Sequence, residues 1–150
     1  MAWTAGNSNH SQRPIGWKIE MLIVDSYAWL EYFLGSEKGA VVKKYMDTEQ
    51  AVTPDIVLAE VARKYLREGM AGEEIKKRLY FISARSDIGV LDADLSLTAA
   101  EAWRELAGKT RRKPSPSLVD GIVLAMARKR GARVLTGDIH FRGLKEAIML

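Results

Sequence analysis

Two carboxylates in this sequence each close a short apolar run. Asp25 ends Met21-Leu22-Ile23-Val24-Asp25-Ser26, and Asp138 ends Leu135-Thr136-Gly137-Asp138-Ile139-His140-Phe141. Runs this short and this apolar read as buried strands. In an open α/β sheet, ligands bind just beyond the carboxyl ends of the strands, so acids at two strand tips can face one crevice although they lie far apart in the chain. Gathered carboxylates repel one another and require a cation. Two further acids have surroundings that suit the same crevice. On a 100° wheel of Leu118 to Arg130, Asp120 falls among Val123, Leu124 and Ala127, inside an apolar arc where a charge needs compensation. Glu60 shares a helical face with Arg63, Lys64 and Arg67, which can turn the acid toward a metal and the basic side chains toward phosphate.

Each acid also has a purely structural reading. Asp after a strand is a good N-cap, which suits Asp25, and Asp138 follows Gly137 as a turn residue would. Ser117-Leu118-Val119-Asp120 matches a capping box, and Glu60 is spaced for ion pairs with Arg63 and Lys64. Capping leaves Gly121 unexplained. A glycine inside a helix costs about 1 kcal/mol relative to alanine, so something must pack or bind close to that backbone.

Taken together, the acids point to hard-metal chemistry. Carboxylate oxygens suit Mg²⁺ or Mn²⁺, and a chain with two histidines and no cysteine has little from which to build a soft-metal site. A Mg²⁺ ion held by a few acids keeps waters, can activate one as a nucleophile, and stabilises charge developing on a phosphodiester. The chemistry that fits is phosphodiester hydrolysis. The lack of cysteine also removes thiol catalysis and disulfide frameworks, and it fits a reducing, cytoplasmic setting. No apolar run approaches the roughly 18 residues of a membrane span, and the first twenty residues lack a secretory signal. A net charge of +4 is compatible with a polyanionic partner.

The elements that must position these residues alternate. A strand at Leu22 to Val24 leads to an apolar helix from Ser26 to Leu34, which ends at Gly35. Ser36 caps a helix to about Asp47, and Ala51-Val52 is the second strand. Thr53-Pro54 supplies an N-cap and a first-turn proline for a helix to Arg67, and Gly72 opens another through Arg85. A strand at Ile88 to Leu91 follows, and Asp92 or Asp94 caps a helix to about Ala107. A basic loop from Gly108 to Pro116 leads into the helix Leu118 to Arg130, closed by Gly131. A strand at Arg133 to Thr136, a short helix after His140 and a final strand at Ala147 to Met149 complete the series. The expected fold is α/β, a parallel sheet of four to five strands sandwiched between helices in three layers. Residues 1–20 hold both asparagines and lack apolar periodicity, and they read as a flexible extension to one domain over 21–150.

Four segments in this order resemble the PIN domain family, metal-dependent ribonucleases that include the toxins of VapBC toxin-antitoxin pairs. They are Ile23-Val24-Asp25-Ser26 with its apolar helix, Leu58-Ala59-Glu60-Val61, Ser117-Leu118-Val119-Asp120-Gly121, and Leu135-Thr136-Gly137-Asp138 through Phe141. The resemblance spans Met21 to Leu150. It implies that Asp25, Glu60, Asp120 and Asp138 hold one or two Mg²⁺ or Mn²⁺ ions, with Ser26 and Thr136 as supporting hydroxyls. It also implies single-stranded RNA as substrate, cleaved by metal-activated water, and a VapB-like antitoxin or a second copy of the chain as partner. Arg63, Lys64, Arg111, Arg112 and Lys113 are candidate RNA contacts, and Trp29, Tyr32 and Phe33 belong to the core or in part to an interface. His140, beside Phe141, reads as a capping or packing residue and not as a ligand. An RNA-processing nuclease without an antitoxin, and a catalytically silent RNA-binding or assembly module, are the competing readings. A receiver domain is disfavoured because Val24-Asp25 lacks a paired acid, and a DxD phosphatase because Asp25-Ser26-Tyr27 lacks the second aspartate.

Overall fold

A computed structural model describes residue 16, residues 18–109, residue 111 and residues 113–150. Its elements are β1 (Met21–Val24), α1 (Ser26–Leu34), α2 (Glu37–Thr48), β2 (Gln50–Pro54), α3 (Asp55–Arg67), α4 (Gly72–Arg85), β3 (Asp87–Gly89), α5 (Ala93–Lys109), α6 (Leu118–Arg130), β4 (Arg133–Thr136) and β5 (Ala147–Met149), with a 3-10 turn at Ile139–Phe141. The strands form one parallel sheet in the order β3-β2-β1-β4-β5. Parallel strands need long crossovers, which explains the helices between them. A sheet covered on both faces needs apolar residues at successive strand positions, and Leu22, Ile23 and Val24 of β1 with Val134 and Leu135 of β4 are wholly buried.

The chain winds outward from β1 through β2 to β3, then crosses back to place β4 on the other side of β1. With right-handed crossovers, this reversal puts α1 to α4 on one face and the α5–α6 pair on the other. It also opens a crevice at the carboxyl ends of β1 and β4, where the winding switches direction. Asp25 and Asp138 stand at that point.

Local chemistry explains the helix ends. Asp25 caps α1 by accepting the Ala28 N–H, Ser36 caps α2 by accepting the Gly39 N–H, and Gly35 and Gly131 end their helices in the left-handed conformation. Asp92, ahead of α5, accepts the Leu95 N–H. The start of α3 differs from expectation. Thr53 belongs to β2 and Pro54 is the N-cap, without a side-chain capping bond. The Thr53 side chain is wholly buried, and its hydroxyl accepts the Trp29 indole N–H at 3.0 Å and meets the Ser86 hydroxyl at 2.7 Å. A buried indole donor needs that acceptor, and the hydroxyl is therefore committed to the core and not to the start of α3.

Gly121 sits where α6 crosses α5. A Cβ there would lie 2.5 Å from the Ala99 carbonyl oxygen and 2.7 Å from the Trp103 Cβ, so the mid-helix glycine serves helix packing. Trp29 lies wholly inside the core, with Tyr32, Phe33 and Phe81 packed around its ring. The β3 strand ends at Gly89, earlier than the apolar run extends, and Gly108 and Lys109 belong to α5, not to the following loop. The short turn near His140 includes that residue instead of following it. Most of the expected extension, 1–20, lies outside the described residues. Its last residue is docked, with the Glu20 carbonyl accepting the Gln50 N–H and its carboxylate pairing with Arg133. Among the described residues no helix is long and apolar enough to cross a membrane.

Candidate active site

Asp25 leaves β1 and starts α1, so its carboxylate hangs at the mouth of the crevice and is nearly inaccessible to water. Both oxygens are held. Oδ1 accepts the Ala28 N–H at 3.0 Å, and Oδ2 accepts the Thr136 hydroxyl in a short hydrogen bond. Thr136 ends β4, and its hydroxyl also accepts the Asp138 N–H at 3.0 Å. One buried hydroxyl thereby ties the ends of the two central strands together and sets the turn that carries Asp138. Gly137 allows that turn, because a Cβ there would run 2.2 Å from the Tyr27 ring. Asp138 in turn accepts the His140 N–H, capping the 3-10 turn.

Asp120 reaches the crevice from the first turn of α6. The capping box is present in full: Asp120 accepts the Ser117 N–H at 2.8 Å, and its own N–H donates to the Ser117 hydroxyl. The structural and functional readings of this residue are compatible, since one carboxylate oxygen can cap while the group faces the cavity. Glu60 arrives from the middle of α3. It accepts a short hydrogen bond from the Ser26 hydroxyl, which itself accepts the Lys64 ammonium at 3.1 Å, and Arg63 stands 3.9 Å away.

Asp25, Glu60, Asp120 and Asp138 line a single cavity of about 200 Å³, together with Ser26, Lys64, Pro114 and His140. A larger hollow of about 540 Å³ lies between α5 and α6, but its acids Asp94, Glu101 and Glu105 share it with Arg128 and Lys129, Arg128 pairs with Glu105, and among the described residues they form no group spaced for an ion. Electrostatics mark the smaller cavity. Burial pushes the Asp25 carboxyl up to about 7 despite the hydrogen bonds from Thr136 and Ala28, and the charges of Asp138 and Asp120 push in the same direction. Burial also raises Asp120, and Asp138 adds to that rise, while the hydrogen bond from the Ser117 N–H pulls it down. Carboxyls that resist ionisation beside one another are what a bound divalent cation would relieve.

The cluster is not evenly spaced. Asp120, Asp138 and His140 place one donor atom each within 4.8 Å of one another, a spacing compatible with a shared ion. Asp25 adjoins this trio, close enough for the two aspartates to act on its charge, whereas Glu60 faces the cavity across the Ser26 hydroxyl. The expected donors therefore fit a divalent ion, with Asp120 and Asp138 nearest to ligating geometry. Among the basic residues, Lys64 lines the cavity, Arg63 is largely exposed beside Glu60, and Arg111 and Lys113 are exposed on the loop before α6. Arg112 lies outside the described residues. His140, which the sequence presents as a capping or packing residue, also lines the cavity. Its side chain is only 8% exposed and sits against Asp138 and Asp120.

Comparison with known proteins agrees with this architecture. The PIN domain family model matches residues 22–147. Among solved structures, a toxin-antitoxin complex from Klebsiella pneumoniae superposes with a TM-score of 0.66 at 16% identity, covering 85% of this chain and 96% of that one. The sarcin-ricin loop cleaving toxin VapC20 of Mycobacterium tuberculosis gives 0.63 at 21% identity, covering 83% and 95%. VapBC2 of Rickettsia felis, bound to a DNA fragment from its promoter, gives 0.62 at 16% identity, covering 87% and 97%. At these identities the likeness is one of fold. No curated protein matches the chain in sequence.

Proposed function

The chain belongs to the PIN domain family, and on that premise we propose that it is a Mg²⁺- or Mn²⁺-dependent endoribonuclease that hydrolyses phosphodiester bonds of single-stranded RNA. The observation that carries this reading is the convergence of four carboxylates, from β1, α3, α6 and the turn after β4, on one small cavity with a lysine at its wall. Asp120 and Asp138 would hold the ion most directly, with Asp25 beside them and Glu60 opposite. Bound there, a divalent ion supplies a nucleophilic water at neutral pH and charge for the phosphoryl oxygens.

The chain's own residues do the positioning. Thr136 fixes the Asp25 carboxylate and the Asp138 backbone at once, so a shift in either strand end would disturb both acids. Ser26 holds Glu60 and Lys64 in one hydrogen-bonded row, which keeps the ammonium turned toward the cavity, where it can meet a phosphate. The exposed Lys113 and Arg111 extend positive charge along the loop that frames the cavity at Pro114. The structural likeness to toxin-antitoxin complexes supports a role as the toxin of such a pair, restrained by a VapB-like antitoxin in the cytoplasm.

The test is cleavage of a panel of single-stranded RNAs. Activity is expected with Mn²⁺ or Mg²⁺ and none with EDTA, and Asp120→Asn should abolish it while the circular dichroism spectrum is preserved. Cleavage that survives both EDTA and Asp120→Asn would remove the site. Co-expression with the product of a short adjacent reading frame should suppress the activity if the toxin role is correct.

A further inference from the structure

We propose that His140 is a nitrogen ligand of the metal centre, and that it gives the site a preference for Mn²⁺ over Mg²⁺. The proposal rests on the metal-centre reading above and adds a donor that the four acids do not include.

The two ring nitrogens have different surroundings. Nε2 lies 2.8 Å from the Pro114 carbonyl oxygen, which can only accept, so Nε2 carries a proton. In the neutral ring the lone pair is then on Nδ1. That atom is fully buried and has no hydrogen-bond partner. It lies 2.8 Å from Asp138 Oδ1 and 3.7 Å from Asp120 Oδ2. A protonated Nδ1 would form a charge-assisted hydrogen bond to Asp138, yet at 2.8 Å the oxygen is not placed for one. A lone pair facing two carboxylates is repulsive unless a cation lies among them. Metal-bound histidines commonly donate their second ring N–H to a backbone carbonyl, which fixes the tautomer and the ring orientation. The Pro114–His140 bond has that form.

Donor spacing agrees. Six ligands at about 2.0–2.1 Å from an ion put neighbouring donors roughly 3 Å apart and opposite donors about 4 Å apart. Nδ1 lies at such distances from the two carboxylate oxygens, 2.8 and 3.7 Å, and one donor atom from each of the three residues lies within 4.8 Å of the others. Imidazole nitrogen suits transition ions and adds little for Mg²⁺, so the donor set O, O, N favours Mn²⁺.

The experiment uses untagged full-length protein and Mn²⁺ alone, read by pulsed electron paramagnetic resonance for ¹⁴N coupling and by thermal shift for affinity. Wild type should show directly bonded ¹⁴N. His140→Gln keeps an amide where Nε2 reaches Pro114 but has no donor at the Nδ1 position. It should lose the ¹⁴N coupling and bind Mn²⁺ at least about tenfold more weakly, with a much smaller change for Mg²⁺. His140→Asn puts an amide at the Nδ1 position instead. It should lose the nitrogen signal while keeping more Mn²⁺ affinity than the glutamine variant, which separates ligation from a folding defect. Mn²⁺ binding by wild type without ¹⁴N coupling, or coupling that persists in His140→Gln, would overturn the histidine ligand and leave the acidic centre standing. Wild type that binds neither Mn²⁺ nor Mg²⁺ would overturn the metal centre itself.

Discussion

Replacing Asp25 with asparagine should make the metal-free protein less sensitive to a rise in pH from acidic to neutral. The folded-state carboxyl is raised from 3.8 to about 7, chiefly by burial. A raised carboxyl binds its proton more tightly when folded, so its contribution to stability is fully present below the unfolded value and is lost as pH rises through about 7. At 1.36 kcal/mol per tenfold change in proton affinity, the whole effect is on the order of 4 kcal/mol, of which about 2 kcal/mol falls between roughly pH 5.5 and pH 8.5. The paired surface carboxylates contribute equally to both proteins, so the difference between wild type and Asp25→Asn reports Asp25 together with its coupling to Asp120 and Asp138. Urea unfolding in EDTA at several pH values measures it. Wild type should lose about 2 kcal/mol more than the variant across that range, and saturating Mn²⁺ should remove most of the gap by binding the folded state. Parallel curves for the two proteins would refute the reasoning, because they would mean that Asp25 ionises as it does in water.

Three other substitutions probe the frame around the site. Gly121→Ala forces a methyl against the Ala99 carbonyl and Trp103, and should cost about 1–3 kcal/mol in chemical denaturation; an unchanged midpoint would show that the α5–α6 contact yields easily. Thr53→Val leaves the buried Trp29 indole N–H without its acceptor, and should cost about 1–3 kcal/mol by the same measurement, with neutrality counting against the hydrogen bond. Lys64→Ala should weaken binding of single-stranded RNA and lower the slope of log affinity against log salt by about 0.7, the share of one phosphate contact; an unaltered slope would place Lys64 off the RNA path.

Much of this arrangement is legible in residue order because it follows from local rules. The α1 and α6 boundaries are written by Asp25, Gly35, Ser117 and Gly131, each of which satisfies backbone groups within a few residues of itself. The parallel sheet follows from apolar strands separated by helices, and the crevice from the end of any strand beside a reversal of winding. Where expectation and structure part, a distant partner decides. Thr53 looks like a helix cap in sequence, but the indole of Trp29 claims it. Gly89, the last residue of β3, lies so close to Met126 of α6 that a Cβ there would meet its sulfur at 2.4 Å. Neither contact leaves a trace in spacing.

His140 is the sharpest case of the same limit. A histidine beside a buried phenylalanine suggests packing, and Phe141 is indeed wholly buried. What makes the ring more than packing is the carbonyl of Pro114, on a loop that precedes α6 and returns across the cavity to meet the turn after β4. That contact fixes which nitrogen is protonated, and hence which one faces the acids. The tautomer is set by a backbone oxygen, and every residue has one of those, so no residue type could have announced it. Acids, in contrast, announce themselves: Asp25 and Asp138 at strand ends and Asp120 inside an apolar helical arc stand where charge needs compensation, Glu60 joins them from a basic helical face, and a common cavity with a cation satisfies all four.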